Sequence, residues 1–79
     1  MSEVTLGRIV VFVVDEHTRA RMSGNADVCE LPAVIVRVWS NNCVNLKVLC
    51  DGPEDLWVTS VSYDGAGMSK RTWHWPNYA

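Results

Sequence analysis

Residues 70–76 near the end of the chain read KRTWHWP, which places two tryptophans, one histidine and two cations within seven residues. An indole ring can stack on a nucleobase, a cation can bind phosphate, and an imidazole can donate a hydrogen bond to an anion. If the segment is an extended strand, Trp73 and Trp75 project to one face and His74 to the other. We therefore predict that the two indoles are structural. His74 is either solvated or, with Arg71 nearby, at the edge of a ligand site.

The middle of the chain carries a second set of such residues. All nine carboxylates lie in the N-terminal segment or in predicted loops and turns, whereas four of the seven cations lie within or beside predicted strands. Three interpretations stay open: the cations cover the sheet with their aliphatic stems, they form an anion pocket, or they face another protein. In the pocket, Arg37 and Lys47 meet phosphate while Trp39 stacks on a base. The candidate ligand-binding residues are Arg37, Trp39, Asn45, Lys47, Arg71 and His74.

Catalysis and metal binding have little support in the sequence. It contains no glycine-rich phosphate loop and no nucleophile elbow, and residues 15–17 (DEH) are typical of a polar strand end. Cys29, Cys43 and Cys50 lack the spacing of a zinc site. We therefore predict a protein that is not an enzyme, with no metal, no cofactor and reduced thiols, as in a bacterial cytoplasm.

The elements that must position these residues are short strands. β-Branched and aromatic residues dominate five segments, and turn-forming residues such as Asn41-Asn42 and the DGPED stretch at 51–55 separate three of them. A long polar loop, with one helical turn at its front, is expected at residues 15–31. The predicted strands are residues 8–14, buried on both sides, and residues 33–40, 43–50, 56–63 and 71–75.

The hydrophobic pattern also predicts the register of the central hairpin. If Trp39 lies opposite Cys43 across a three-residue loop, one face of the hairpin is wholly aliphatic, with Asn42 free to adopt the left-handed conformation. A shift by one residue would mix charge into that face. The predicted pairs are Val38 with Val44, Val36 with Leu46 and Val34 with Val48.

These elements predict an all-β single domain over residues 1–79, a small five-stranded SH3-like barrel with a long loop after the first strand. An oligonucleotide-binding barrel is the alternative, but residues 51–55 are too few for the helix it normally carries. So short a chain with four tryptophans is expected to form a homo-oligomer. The net charge of −2 argues against general nucleic-acid binding, and no apolar run or signal sequence suggests a membrane.

Residues 32–76 contain a string of short motifs: PAVIVRVWS, CVNLKV, DG, LW, TSV and TWHWP. This string resembles a group of small proteins encoded by tailed bacteriophages and prophages. The first strand and the loop to Leu31 fall outside the resemblance. The matching positions are Pro32, Ala33, Arg37, Trp39, Ser40, Val44, Asn45, Leu46, Asp51, Gly52, Leu56, Trp57, Thr59, Ser60, Val61, Thr72, Trp73, His74, Trp75 and Pro76.

The resemblance implies a phage gene product made in the host bacterial cytoplasm, and it carries over no activity. Together with the strand-borne cations and aromatic rings, it leads us to expect an accessory protein that sequesters an anionic nucleotide-like ligand without turnover. Such a ligand would be a cyclic-nucleotide signal of host antiviral immunity. The alternative is a protein-interaction or virion-assembly module.

Overall fold

The computed structural model describes residues 4–20, 29–50 and 55–76. Each strand is hydrogen-bonded to the next, and β5 closes the sheet by pairing antiparallel with β1 and parallel with β4. The protein is therefore an all-β closed barrel of the small SH3-like kind, as predicted. Its elements are β1 (Ile9–Val13), α1 (Glu16–Arg19), β2 (Glu30–Val38), β3 (Cys43–Leu49), β4 (Asp55–Tyr63) and β5 (Thr72–His74).

The core lies inside the barrel and is built from alternate strand residues. Val10 and Phe12 of β1 point inward and are fully buried, whereas Ile9 is 47% exposed. The prediction that this segment is buried on both sides is therefore wrong at Ile9. In a closed sheet one face of each strand lines the interior, and the other faces outward unless another element covers it.

Among the described residues, Trp73 is the largest fully buried side chain, in agreement with its predicted structural role. Its ring centroid lies 4.8 Å from that of Tyr63 and 5.3 Å from that of Trp75, which packs edge-on. Its indole Nε1 donates to the backbone carbonyl of Asn42 at 3.2 Å. Trp73 thus joins the closing strand to the tip of the β2–β3 hairpin.

The tip of that hairpin has the predicted register. Val38 lies opposite Val44, and the Trp39 amide donates to the carbonyl of Cys43 at 2.9 Å across three loop residues. The expected left-handed conformation of Asn42 is wrong, because the described non-glycine residues with positive φ are Ser60 and Arg71.

Beyond the tip, a β-bulge changes the register. Ile35 lies opposite Leu46, and Val34 lies opposite Lys47. The predicted pairs of Val36 with Leu46 and of Val34 with Val48 are therefore wrong. Ile35 is turned into the core, while Val36 is exposed. A bulge adds one residue to one strand and increases its twist, which helps a short sheet to close on itself.

The strand ends differ modestly from the predictions. β2 begins at Glu30, before Pro32, because residues 30–32 pair with β1 alone and the missing N–H of proline removes no bond to β3. β4 begins at Asp55. Glu30 and Asp55 therefore lie in strands, contrary to the prediction that all carboxylates lie in the N-terminal segment or in loops and turns.

α1 forms the single helical turn expected at the front of the long loop. Most of that loop, residues 21–28, and most of the DGPED turn, residues 51–54, lie outside the described residues. No helix in the described ranges is long and apolar enough to cross a membrane.

Candidate functional site

A stacked arginine and tryptophan stand at the end of β2. The guanidinium carbon of Arg37 lies 4.0 Å from the centroid of the Trp39 ring, within the range of a cation–π contact. Trp39 is nevertheless 54% exposed, so a large part of its indole meets solvent. The pair combines a permanent positive charge with an open aromatic surface.

Asn45 of β3 fixes the orientation of this indole. Its Oδ1 accepts a hydrogen bond from Trp39 Nε1 and another from the backbone amide of Ser60, each at 2.9 Å. Asn45 is 6% exposed, and an amide oxygen has two lone pairs, so both donors fill its accepting capacity. The structure thus gives this predicted ligand-binding residue a positioning role.

The second donor, Ser60, belongs to a bulge in β4. Leu46 lies opposite Val58 and Val44 opposite Val61, so Asn45 alone stands across from two residues, Thr59 and Ser60. The extra residue of β4 is accommodated by a left-handed backbone conformation at Ser60, whose φ is 53°. A left-handed conformation is costly for a residue with a Cβ, so the hydrogen bond that the Ser60 amide donates to Asn45 stabilises this backbone conformation.

Arg71 holds the same bulge from the other side. Its Nη2 donates to the carbonyl of Thr59 at 3.0 Å, and its own amide donates to Val13 at 2.9 Å. Arg71 also has a positive φ, of 59°. Since a guanidinium has five N–H groups, Arg71 keeps donors for a ligand while it supports the bulge.

Lys47 lies on the outer face of the barrel, two residues beyond Asn45. Its cross-strand neighbours are Val34 on β2 and Trp57 on β4. The ion pairs found in the described ranges involve neither Lys47 nor Arg37, so neither positive charge is compensated by a carboxylate there. The two cations predicted to meet phosphate are therefore both available.

His74 stands apart from these residues. Its Nε2 lies 2.7 Å from Glu30 Oε2, and its Nδ1 lies 3.0 Å from the backbone carbonyl of Trp75. Its side chain is 16% exposed, so the expectation of a solvated His74 is wrong. Both neighbours are acceptors, so an imidazolium can donate to both of them, whereas a neutral ring can donate to one.

The pKa of His74 follows from this arrangement. Partial burial alone would lower the pKa, but the bonds to Glu30 and to the Trp75 carbonyl, with the negative charges of Glu30 and Asp64, hold it above 6.5. Glu30 thereby neutralises the charge that His74 would offer to an anion.

The loop after β4 covers the imidazole. The carboxylate of Asp64 accepts hydrogen bonds from the amides of Ala66, Met68 and Ser69, and these bonds lower its pKa. Gly67 has a φ of +68°, and a Cβ there would lie 3.1 Å from the His74 ring. A cleft of about 350 Å³ remains beside His74, with Glu30 in its wall, and a carboxylate there disfavours anions.

The described residues contain no cluster of three potential metal ligands. The cysteines are thiols rather than disulfides. Asp15 precedes α1; partial burial opposes the change, but bonding with Thr18 and the charge of Arg71 lower its pKa. Comparison with family models, with curated proteins and with solved structures gives no match for this chain.

The structure thus joins Arg37, Trp39 and Asn45 directly, ties Arg71 to them through the β4 bulge, places Lys47 beside them and separates His74. Sequence reasoning missed the hydrogen bond between Ser60 and Asn45 and the pairing of Glu30 with His74. A polar Asn45 within the apolar CVNLKV strand was a signal for the first. Nothing near Glu30 in the sequence indicates the second, because its partner lies 44 positions away.

Proposed function

We propose that the protein is a phage accessory protein that binds and sequesters an anionic nucleotide-like ligand, with the Arg37–Trp39 stack as the centre of the site. The observation that supports this proposal most directly is the 4.0 Å contact between the Arg37 guanidinium and the Trp39 indole, which is still half exposed. A base stacks on the open indole surface, and Arg37 directs its remaining N–H groups to phosphate.

Preorganisation supports this function. Asn45 holds the indole N–H at 2.9 Å, so Trp39 does not have to be ordered when the ligand arrives. Each rotamer that is fixed before binding removes an entropic cost of about 0.5–1.5 kcal/mol from the binding step. Arg71, tied to the same bulge, supplies a second guanidinium for a ligand with more than one anionic group.

Capture without turnover agrees with the chemistry of these side chains. The groups proposed to contact the ligand are guanidinium and indole groups, and the Asn45 amide positions the indole of Trp39. They can bind charge and an aromatic ring, but they offer no general acid or base.

Titration of the purified protein with cyclic AMP, 5′-AMP, adenosine and inorganic phosphate, followed by calorimetry, tests the proposal. We expect the nucleotides to bind, and Arg37→Ala to weaken them about 10-fold to 100-fold, because a charge-assisted hydrogen bond contributes about 1.5–3 kcal/mol. Arg8→Ala is the matched control, since Arg8 also stacks on a tryptophan, Trp75, at 5.5 Å. Equal losses in both variants, or no binding of any probe and no nucleotide released when protein from infected cells is denatured, would refute the proposal.

One observation favours the alternative, a protein-interaction or virion-assembly module. Trp57 is 58% exposed on the outer face of β4, and large exposed aromatic side chains often mark protein contacts. Co-sedimentation of the protein with assembled phage particles would support this alternative and oppose sequestration.

A further inference from the structure

Four outward side chains form a compact quadrilateral on the middle of the sheet. On β3, Lys47 and Leu49 are exposed on either side of the buried Val48, and on β4, Asp55 and Trp57 are exposed on either side of the buried Leu56. Lys47 lies opposite Trp57, and Leu49 lies opposite Asp55. We call these four residues the β3–β4 patch.

The patch has two diagonals of different chemistry. One joins Leu49 to Trp57, both apolar and exposed, and the other joins Lys47 to Asp55, which carry opposite charges. Diagonal cross-strand neighbours are about 7–8 Å apart at Cα, so the four side chains form one continuous surface. Neither charge has an ion-pair partner among the described residues.

We infer that the β3–β4 patch is a two-fold interface with a second copy of this chain, with the axis along the Leu49–Trp57 diagonal. Rotation about that axis brings Leu49 onto Leu49 and Trp57 onto Trp57 of the second copy. It also brings Lys47 onto the second copy's Asp55, twice by symmetry.

The other simple axes leave a mismatch. An axis along the strands sets Leu49 against Asp55, and one across the strands sets Trp57 against Asp55. An axis along the charged diagonal sets Lys47 against Lys47. The patch is therefore self-complementary in one orientation, in both charge and apolar surface, and a second copy is the partner that requires this property.

The size of the protein supports the same partner. A chain of 79 residues buries a small share of its surface, and an exposed tryptophan beside an exposed leucine leaves apolar area in water. Packing two such patches together removes this area from water and pairs the Trp57 rings on the two-fold axis, and buried tryptophans often dominate the binding energy of an interface.

The interface does not depend on the proposed ligand. Lys47 is also one of the two cations predicted to meet phosphate, and a charge exchange between Lys47 and Asp55 distinguishes the two roles. If Lys47 acts by pairing with Asp55 of the second copy, the double variant K47E/D55K keeps this pair with its charges exchanged. If Lys47 instead binds phosphate, the double variant still lacks the cation that the ligand needs.

Sedimentation equilibrium on the natural sequence and three charge variants tests the inference. We expect the mass of two chains for the natural sequence, and a dissociation constant raised about 100-fold or more by Lys47→Glu or by Asp55→Lys, because each sets like charges together twice. The double variant K47E/D55K should again form the dimer. An equimolar mixture of the two single variants should form a heterodimer, since each then supplies what the other lacks.

The controls keep the outcome interpretable. Lys70→Glu makes the same change in net charge at an exposed loop position, and it should leave the dimer intact. Circular dichroism should show folded protein for each variant, because exposed substitutions change folding by about 0.5 kcal/mol or less. A natural-sequence monomer at micromolar concentration, or failure of the mixture to associate when each single variant is folded, would overturn the inference.

Discussion

The closing seam of the barrel is the part where β5 pairs with β1 and β4, and it contains Trp73 and His74. The seam and the end of β2, with Arg37 and Trp39, use similar residues in opposite ways. At the seam, Trp73 is fully buried and His74 has an acceptor on each ring nitrogen. At the end of β2, Trp39 has its N–H bonded but its ring half exposed, and Arg37 stacks on it with no carboxylate partner in the described ranges.

The difference is in what remains available after folding. The seam uses its aromatic surface and its charge internally, so it contributes to stability and has little to offer a ligand. The β2 end bonds its indole N–H and leaves a ring surface and a positive charge exposed. A tryptophan beside a cation therefore indicates a binding site only where the fold leaves both of them accessible.

The largest expected effect is at the seam, where a pair of tryptophan truncations measures the contribution of a buried ring against that of an exposed one. Trp73→Ala should lower the free energy of unfolding by about 3–5 kcal/mol, which is enough to unfold a small domain, because it empties the centre of the core. Trp57→Ala removes the same side chain from an exposed position. When melted at low concentration, where monomer dominates, it should change stability by about 0.5 kcal/mol or less. Similar melting temperatures for the two variants would contradict the assignment.

An intermediate effect is expected at Asn45, which links the stack to the β4 bulge. Asn45→Ala should cost about 1–3 kcal/mol, because it leaves the partly buried amide of Ser60 without its acceptor and releases the indole of Trp39. Thermal melting gives the loss, and near-ultraviolet circular dichroism should show a less fixed indole. Asn42→Ala, at an exposed loop position whose Oδ1 meets the Ser40 hydroxyl, is the control and should be nearly neutral.

The smallest effect concerns the pH dependence of the seam. The pKa of His74 is raised in the folded protein, so its stabilising contribution is fully present below pH 6.5 and is lost as the pH rises through the folded pKa. Glu30→Gln should reduce that contribution by less than about 1 kcal/mol, because Glu30 is half exposed and the pair is partly screened.

Titration of the His74 ring followed by nuclear magnetic resonance, with melting curves on both sides of its midpoint, measures this effect. The His74 midpoint should fall in the Glu30→Gln variant. A His74 midpoint at or below 6.5 in the natural sequence would show that the imidazole is not held by Glu30.

Local sequence was sufficient for part of this fold. The β-branched runs and the turn residues predicted five strands within about three residues of their observed ends, and the small barrel followed from the number and length of the strands. The buried role of Trp73 followed from period-two alternation. These features depend on residues near one another in the chain, whose backbone preferences and solvation can be read locally.

Tertiary structure decided the rest. The bulge at Val36 and the left-handed Ser60 arise from the curvature that closes the barrel, which no single strand encodes. Ring closure also brought His74 to Glu30 across β1, so a histidine predicted as solvated became an ion-pair partner. The predicted site residues divided in the same way. The amide oxygen of Asn45 already accepts two hydrogen bonds within the fold, whereas Arg37 is exposed. The sequence established which residues could bind a ligand, and the closure of the sheet determined which of them still have groups free to do so, because a donor or acceptor satisfied within the fold is no longer available to a partner.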